Sequence, residues 1–556
     1  MNCINMKRLS ILLFCALFSM VLKADHMMGS DIEYICISPG KYKIITKIYR
    51  QCAGIPLNFG AISMYCGNTS FTVNVSRTSI KDITPTCASG SAPCNPQNQM
   101  SNQGVEEHTF ECTIDFNTSP YNAFKQNNCC KVYFAATQCC RDELITTQPY
   151  DNFYTESMLD ICNTKGKCNN SPQLTTPPIS YICCNQPFSF NNGVTDKVDG
   201  DSLAYSLGDA LKAKGQNILK NGSFTAQIPM TPFCLPPGVV NCKPLPNAKP
   251  PRGFYFDNTT GDIIFMPTKC DEAGPVVIQI DEYRKDSTGA WVNVGTTRRD
   301  MMMIVVKCAD NNPPQITNNS NKYSVCEGNK ICFTIKTVDN LAPNQKVADS
   351  TYLSWNSGIP GATFRIIDQT AREKQAEFCW QTKIGDARTN SYSFTAVVKD
   401  DNCPRPATTA KGFLITVKAK AQAKRVYEIL DCGKLRFTSY PKDTVNYKGS
   451  YNYEWAIRDS TNSGLPFYKS FQKRDSFKFK RGGKYIITHT INNLPINCPT
   501  IYTDTVIMPP IFSVELAFGK DTFVCAGDSI KIKPIIANGV LSLLRHEWKY
   551  HELIWS

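Results

Sequence analysis

At 556 residues the chain is too long for one hydrophobic core, and at ~100–200 residues per domain it holds roughly three to five. Its formal net charge is +13, but 60 Lys and Arg lie scattered among 47 acids, which excludes the dense basic run of a nucleic-acid arm. Aromatic residues make up 11%, and with frequent Thr, Val and Ile they favour strands over helices, so the expected fold class is all-β.

The chain opens on an export signal: Lys7 and Arg8, an apolar run over 9–22, then Lys23 and Ala24. That run is shorter than the ~20 residues a membrane helix needs, so residues 1–24 are expected to be a cleaved signal peptide, and no other segment is apolar enough to cross a bilayer. Setting aside Cys3 and Cys15, the exported chain keeps an odd number of cysteines from a total of 27. In an exported protein these predict disulfides, with at least one thiol left over or bonded between chains. The doublets at 129–130, 139–140 and 183–184 each point to two different partners, because strand neighbours face opposite ways. Structural zinc is excluded because no CxxC spacing occurs.

Residues 25–185 form a Cys-rich β domain that opens on a hairpin, with runs 30–36 and 41–50 around Ser38-Pro39-Gly40. Further strands are expected at 132–136 and 152–155, and the polar stretch 84–104 reads as a surface loop stapled by Cys87 and Cys94. Residues 186–309 read as a separate β-sandwich with strands at 263–266, 275–283 and 300–306, crossed by a Pro-rich loop over 229–251. The stretch Cys308-Ala309-Asp310-Asn311-Asn312-Pro313-Pro314 then reads as a linker, since two prolines stop both helix and central strand. Residues 310–418 and 419–510 each carry a sandwich-sized set of short strands. The openings Val325-Cys326-Glu327-Gly328 and Val524-Cys525-Ala526-Gly527, with Asp431-Cys432-Gly433 between them, recur at about one module length of ~100 residues. Residues 511–556 make an incomplete repeat, so a truncated chain is expected.

Several motifs carry a resemblance. The opening His26-Met27-Met28-Gly29-Ser30-Asp31-Ile32-Glu33-Tyr34, the strand end Tyr49-Arg50-Gln51-Cys52, Cys139-Cys140-Arg141-Asp142, Asp199-Gly200-Asp201, Glu282-Tyr283-Arg284 and Arg299-Asp300-Met301 resemble large surface proteins of Bacteroidetes of the gliding motility-associated, PKD-domain type. The resemblance implies tandem immunoglobulin-like sandwiches on the outer cell surface. Such proteins commonly leave by the type IX route with a C-terminal sorting domain, which is not present in this sequence. Asp310-Asn311-Asn312-Pro313-Pro314 and Val398-Lys399-Asp400-Asp401-Asn402 resemble cadherin linkers and strand ends, where carboxylates converge on calcium between domains. That likeness makes Asp310, Asn312, Asp339 and Asp400 candidate calcium ligands, with Asp196, Asp199 and Asp201 as a second cluster. The same acids also suit simple turns and Asx caps.

No catalytic constellation is found. His546 and His551 are five apart, out of alignment for a helical zinc motif, and no nucleophile elbow, Walker loop or dinucleotide fingerprint occurs. Trp355, Trp380 and Trp455 lie in strand runs and are expected in cores. Disulfides are expected between Cys332 and Cys379 on neighbouring strands and between Cys432 and Cys498. The expected function is a non-enzymatic secreted or cell-surface adhesion or spacer protein with an extracellular ligand. The rival is a carbohydrate-binding or accessory region of a polysaccharide-degrading enzyme, marked by aromatics lined along one sheet face.

Overall fold

The computed structural model describes residues 27–509, except 55, 88–93, 95–103, 140, 142–144, 148–151, 163–167, 179–180, 309–310, 344, 404–405, 431–432, 443–448 and 462–463, together with 515–516 and 534–535. The expected signal peptide, Asp310, Cys432 and most of the final repeat lie outside the described residues. The chain is built from strands, with a single one-turn helix at Ala123–Gln126 among the described residues. No described helix is long and apolar enough to cross a membrane. Two compact units divide at Val417 and Lys418.

The first unit opens on a long hairpin, Met27–Ser38 against Lys41–Gln51. Its turn passes through Gly40 at φ +81, where a side chain would be strained. Val105–Asp115 pairs on the outer side of Lys41–Gln51. The other neighbour of Met27–Ser38 comes from far along the chain: Trp291–Val306, with Gly29 opposite Met301. That strand also pairs with Ala273–Lys285, Phe153–Asp160 and, in parallel, Tyr181–Cys183. The largest sheet therefore draws strands from both sides of the boundary expected at 185/186, while one core gathers residues between Met27 and Ile161 and another those between Leu174 and Val305. Periodicity finds strands but not their partners, and the 301–303 stretch, all buried methionines, shows a strand covered on both faces.

The motif residues meet inside this system. Asp31 Oδ2 takes Arg299 Nε at 2.9 Å and Tyr49 Oη at 2.7 Å. Arg141 pairs with Asp300, and Arg50 with Glu106 at 2.7 Å. Tyr34 Oη donates to Glu282 at 3.0 Å, beside Asn169 Nδ2 at 2.8 Å, and burial drives the Glu282 carboxyl well above its ordinary pKa. A Cβ at Gly295 would collide with both Tyr34 and Glu282. Segments up to 268 residues apart in sequence thus meet in buried polar pairs, set beside apolar contacts such as the cluster of Met28, Tyr49, Val105 and Met302.

Residues 311–417 form a sandwich of two four-stranded sheets. One carries Gln315–Ile316, Lys330–Val338, Gln375–Gln381 and Thr363–Ile366; the other Lys322–Cys326, Thr408–Lys418, Tyr392–Lys399 and Tyr352–Trp355. Phe378 stacks on Phe394 at 4.4 Å and Phe394 on Phe413 at 5.1 Å across the core. Cys332 and Cys379 sit directly opposite in the ladder and are disulfide-bonded.

The second unit is another sandwich. Gln422–Leu430, Lys434–Lys442 and Arg474–Lys478 form one sheet; Tyr468–Ser470, Ser450–Asp459, Gly483–Leu494 and Thr500–Met508 form the other. Trp455 fills its centre with Leu435, Phe437 and Ile487, and its indole donates to the Gln472 carbonyl at 3.0 Å. Cys498 is disulfide-bonded. Trp380 and Trp455 are buried, and Trp355 packs on Phe364 and Phe378 at the margin of its core.

Candidate cation site at the joint of unit one

Asp339 follows the last residue of strand Lys330–Val338, Asp400 follows strand Tyr392–Lys399, and Asp349 lies in the loop between them in space. Strand ends put these carboxylates at one pole of the sandwich, where the linker arrives. Each offers an oxygen within 4.8 Å of the others. Asp349 Oδ2 accepts from Gln345 Nε2 at 2.7 Å and Asn402 Nδ2 at 3.1 Å. Asp400 accepts from Asn311 Nδ2 at 2.9 Å and from the backbone N–H of Ala407 at 2.9 Å. Asp339 is different: it is only 4% exposed, and among the described residues neither of its oxygens accepts a full hydrogen bond, the weak pull of the Asp349 backbone N–H aside.

A buried carboxylate without a full hydrogen bond, beside two more acids, is costly. Burial first, then the charges of Asp400 and Asp349, push the Asp339 carboxyl up to about 7. Burial likewise raises Asp400 to about 6. The donor set is all oxygen, the chemistry of a hard divalent cation such as calcium, and no Cys or His joins it. The residues therefore fit a cation. Bound there, it would offset two of the three carboxylate charges and supply a partner to Asp339.

The site sits where several segments converge. Gln186 Nε2 donates to the carbonyls of Asn311 and Cys308 at 2.5 and 3.2 Å, so the linker is held from residue 186 on one side and Asp400 on the other. Cys87 is disulfide-bonded to Cys403, three residues past Asp400, and Lys399 Nζ donates to the Thr86 carbonyl at 2.7 Å. Five residues back along the strand that leads to Asp400, Thr395 Oγ1 donates to Asn191 Oδ1 at 2.9 Å, and Asp262 Oδ1 takes the Gly412 N–H at 2.9 Å and Asn191 Nδ2 at 2.7 Å. These buried bonds stitch the strands before the linker to the sandwich.

Of the linker residues singled out in the sequence, Asp339 and Asp400 are brought together. Asn312 is held beside Asp339, its Nδ2 donating to the carbonyls of Asn340 and Leu341 at 3.3 and 2.8 Å. Asp349 lies outside the motifs that resemble cadherin and reads in the sequence as one more polar residue of a turn-rich loop. The second cluster is a different object. Asp196 accepts the backbone N–H groups of Asp199 and Asp201, and Arg284 grips Asp201 through two 2.6 Å bonds while lying 3.7 Å from Asp199. These acids close a turn in which Arg284 offsets the charge of Asp201 and Asp199, while burial raises the Asp196 carboxyl to about 6. Cys52, Cys94 and Glu106 also cluster, but the two cysteines are a disulfide. Cys87, expected to staple its own loop with Cys94, reaches Cys403 instead. Among the described cysteines only Cys112 is free.

No protein-family model and no curated protein matches the chain. Among solved structures it is similar to domains A168–A170 of titin, at 11% identity and TM-score 0.22 over 61% of this chain and 98% of that one. It is also similar to Drosophila N-cadherin EC1–4, at 10% and 0.20 over 82% and 93%, and to the N-terminal eight Ig domains of Down syndrome cell adhesion molecule, at 11% and 0.20 over 84% and 46%. Overlaps this small carry no argument; the tandem sandwiches are read from the sheets themselves.

Proposed function

We propose that the chain is a non-enzymatic, extracellular or cell-surface protein that holds adhesive surface at a fixed distance, and that calcium bound by Asp339, Asp349 and Asp400 stiffens its joint. The observation that carries this reading is the buried Asp339, without a full hydrogen bond among the described residues, set between two further carboxylates at the point where linker, sandwich and the Cys87–Cys403 bond meet. Disulfides throughout the described chain support an oxidising, extracellular setting. The opening motifs support kinship with Bacteroidetes surface proteins, and they serve here as a structural lock.

The test is the melting of the full chain in excess calcium and in chelator. A cation held by the folded state alone adds ~2.7 kcal/mol at a hundredfold excess over Kd. Identical melting in both conditions would sink the cation reading. The adhesive reading is tested by retention of the chain on cells or abiotic surfaces in the presence of competing soluble sugars, and loss of retention to sugar would replace adhesion with carbohydrate binding.

A further inference from the structure

In the second unit, Tyr468–Ser470 and Arg474–Lys478 are consecutive strands, yet each is the edge of a different sheet. The chain therefore crosses from one sheet to the other along a single flank of the sandwich. Asp475 binds that crossing together, accepting from Tyr468 Oη at 2.7 Å and Ser470 Oγ at 2.5 Å. This flank exposes three large apolar side chains: Leu465 at 94%, Phe471 at 67% and Phe467 at 51%.

Basic residues frame them. Phe471 is followed by exposed Lys473 and Arg474. The Phe467 ring lies 5.6 Å from Phe477, beyond which come exposed Lys478, Lys480 and Arg481. None of these five forms an ion pair with a carboxylate among the described residues, whereas Lys469, between the two groups, pairs with Glu454 at 2.9 Å. Asp475 is the one acid of the 464–484 stretch, and its oxygens are occupied within the fold.

We propose that this flank docks on an anionic lipid bilayer, with Leu465, Phe467 and Phe471 entering the headgroup boundary and the flanking Lys and Arg facing lipid phosphates. Charge complementarity names an anionic partner. The apolar groups select lipid over an acidic glycan: leucine and phenylalanine carry no polar handle for sugar hydroxyls, and a leucine this exposed gains most by entering acyl chains. The inference concerns the other unit and is independent of the cation joint.

Sedimentation of the full chain with vesicles tests it, using phosphatidylcholine alone and phosphatidylcholine mixed with phosphatidylglycerol. The chain is expected to pellet only with the anionic vesicles, and less as salt rises. Lys473→Gln and Arg474→Gln should each weaken partitioning by about five-fold. Leu465→Ser with Phe471→Ser should abolish it while leaving the melting profile unchanged, because both side chains lie outside the core. A chain that stays in the supernatant, or pellets equally with neutral vesicles, overturns the proposal. Binding that survives Leu465→Ser with Phe471→Ser but is competed by a soluble acidic polysaccharide overturns it in favour of a glycan surface.

Discussion

Among the described residues, Asp339 and His489 are buried titratable side chains without a full hydrogen bond, and they make different predictions. Asp339 faces other acids, so Asp339→Asn should remove a buried like charge. In chelator at pH 8 the variant is expected to melt at or above the parent, by on the order of 1 kcal/mol, while its response to calcium disappears. Melting curves in chelator and in calcium check both halves. His489 is fully buried against Trp455 at 3.9 Å, and neither ring nitrogen has a partner among the described residues. Burial first, then the Arg425 charge, lower its pKa to about 4, only partly opposed by Asp504. Because the folded value lies below the ordinary 6.5, the neutral ring contributes stability at neutral pH, and that contribution is lost as pH falls from about 6.5 through 4. Calorimetry over that range should show the second unit weakening in acid, and His489→Phe should flatten the dependence. An unchanged pH profile in the variant would assign the acid sensitivity elsewhere.

At the scale of elements, the Cys87–Cys403 bond closes a separation of 316 residues. Replacing both cysteines with serine should cost ~2–5 kcal/mol, read as a lower melting temperature of the first unit. The same change should weaken calcium binding, because the 400–403 segment that carries Asp400 loses its anchor. Strands of the two sandwiches were legible in the sequence: the runs at 331–337 and 376–380, or 451–457 and 484–490, alternate clearly around Phe, Trp and Ile. The partner of Trp291–Val306 was not legible, because a strand buried on both faces has no alternation and its neighbours lie hundreds of residues away. The motifs behind the family resemblance were visible as letters, but their role was not. Only the fold shows Asp31 on Arg299 and Arg141 on Asp300. The cation site was half legible: Asp339 and Asp400 carried a recognisable context, whereas Asp349 joined them through loop geometry alone.

At the scale of the molecule, the Cys87–Cys403 disulfide and buried polar bonds tie the sandwich to the strands before it within the first unit. The second unit has its own core around Trp455, so Trp455→Ala should lower its stability by ~3–5 kcal/mol and leave the first unit's calcium response intact. The most direct measurement is scanning calorimetry of the full chain in excess calcium and in chelator. The predicted result is a higher melting temperature for the first unit in calcium, with the second unit's transition unmoved and the shift absent in Asp339→Asn. Superimposable scans in the two conditions, or an equal shift in the variant, would contradict a cation-stiffened joint.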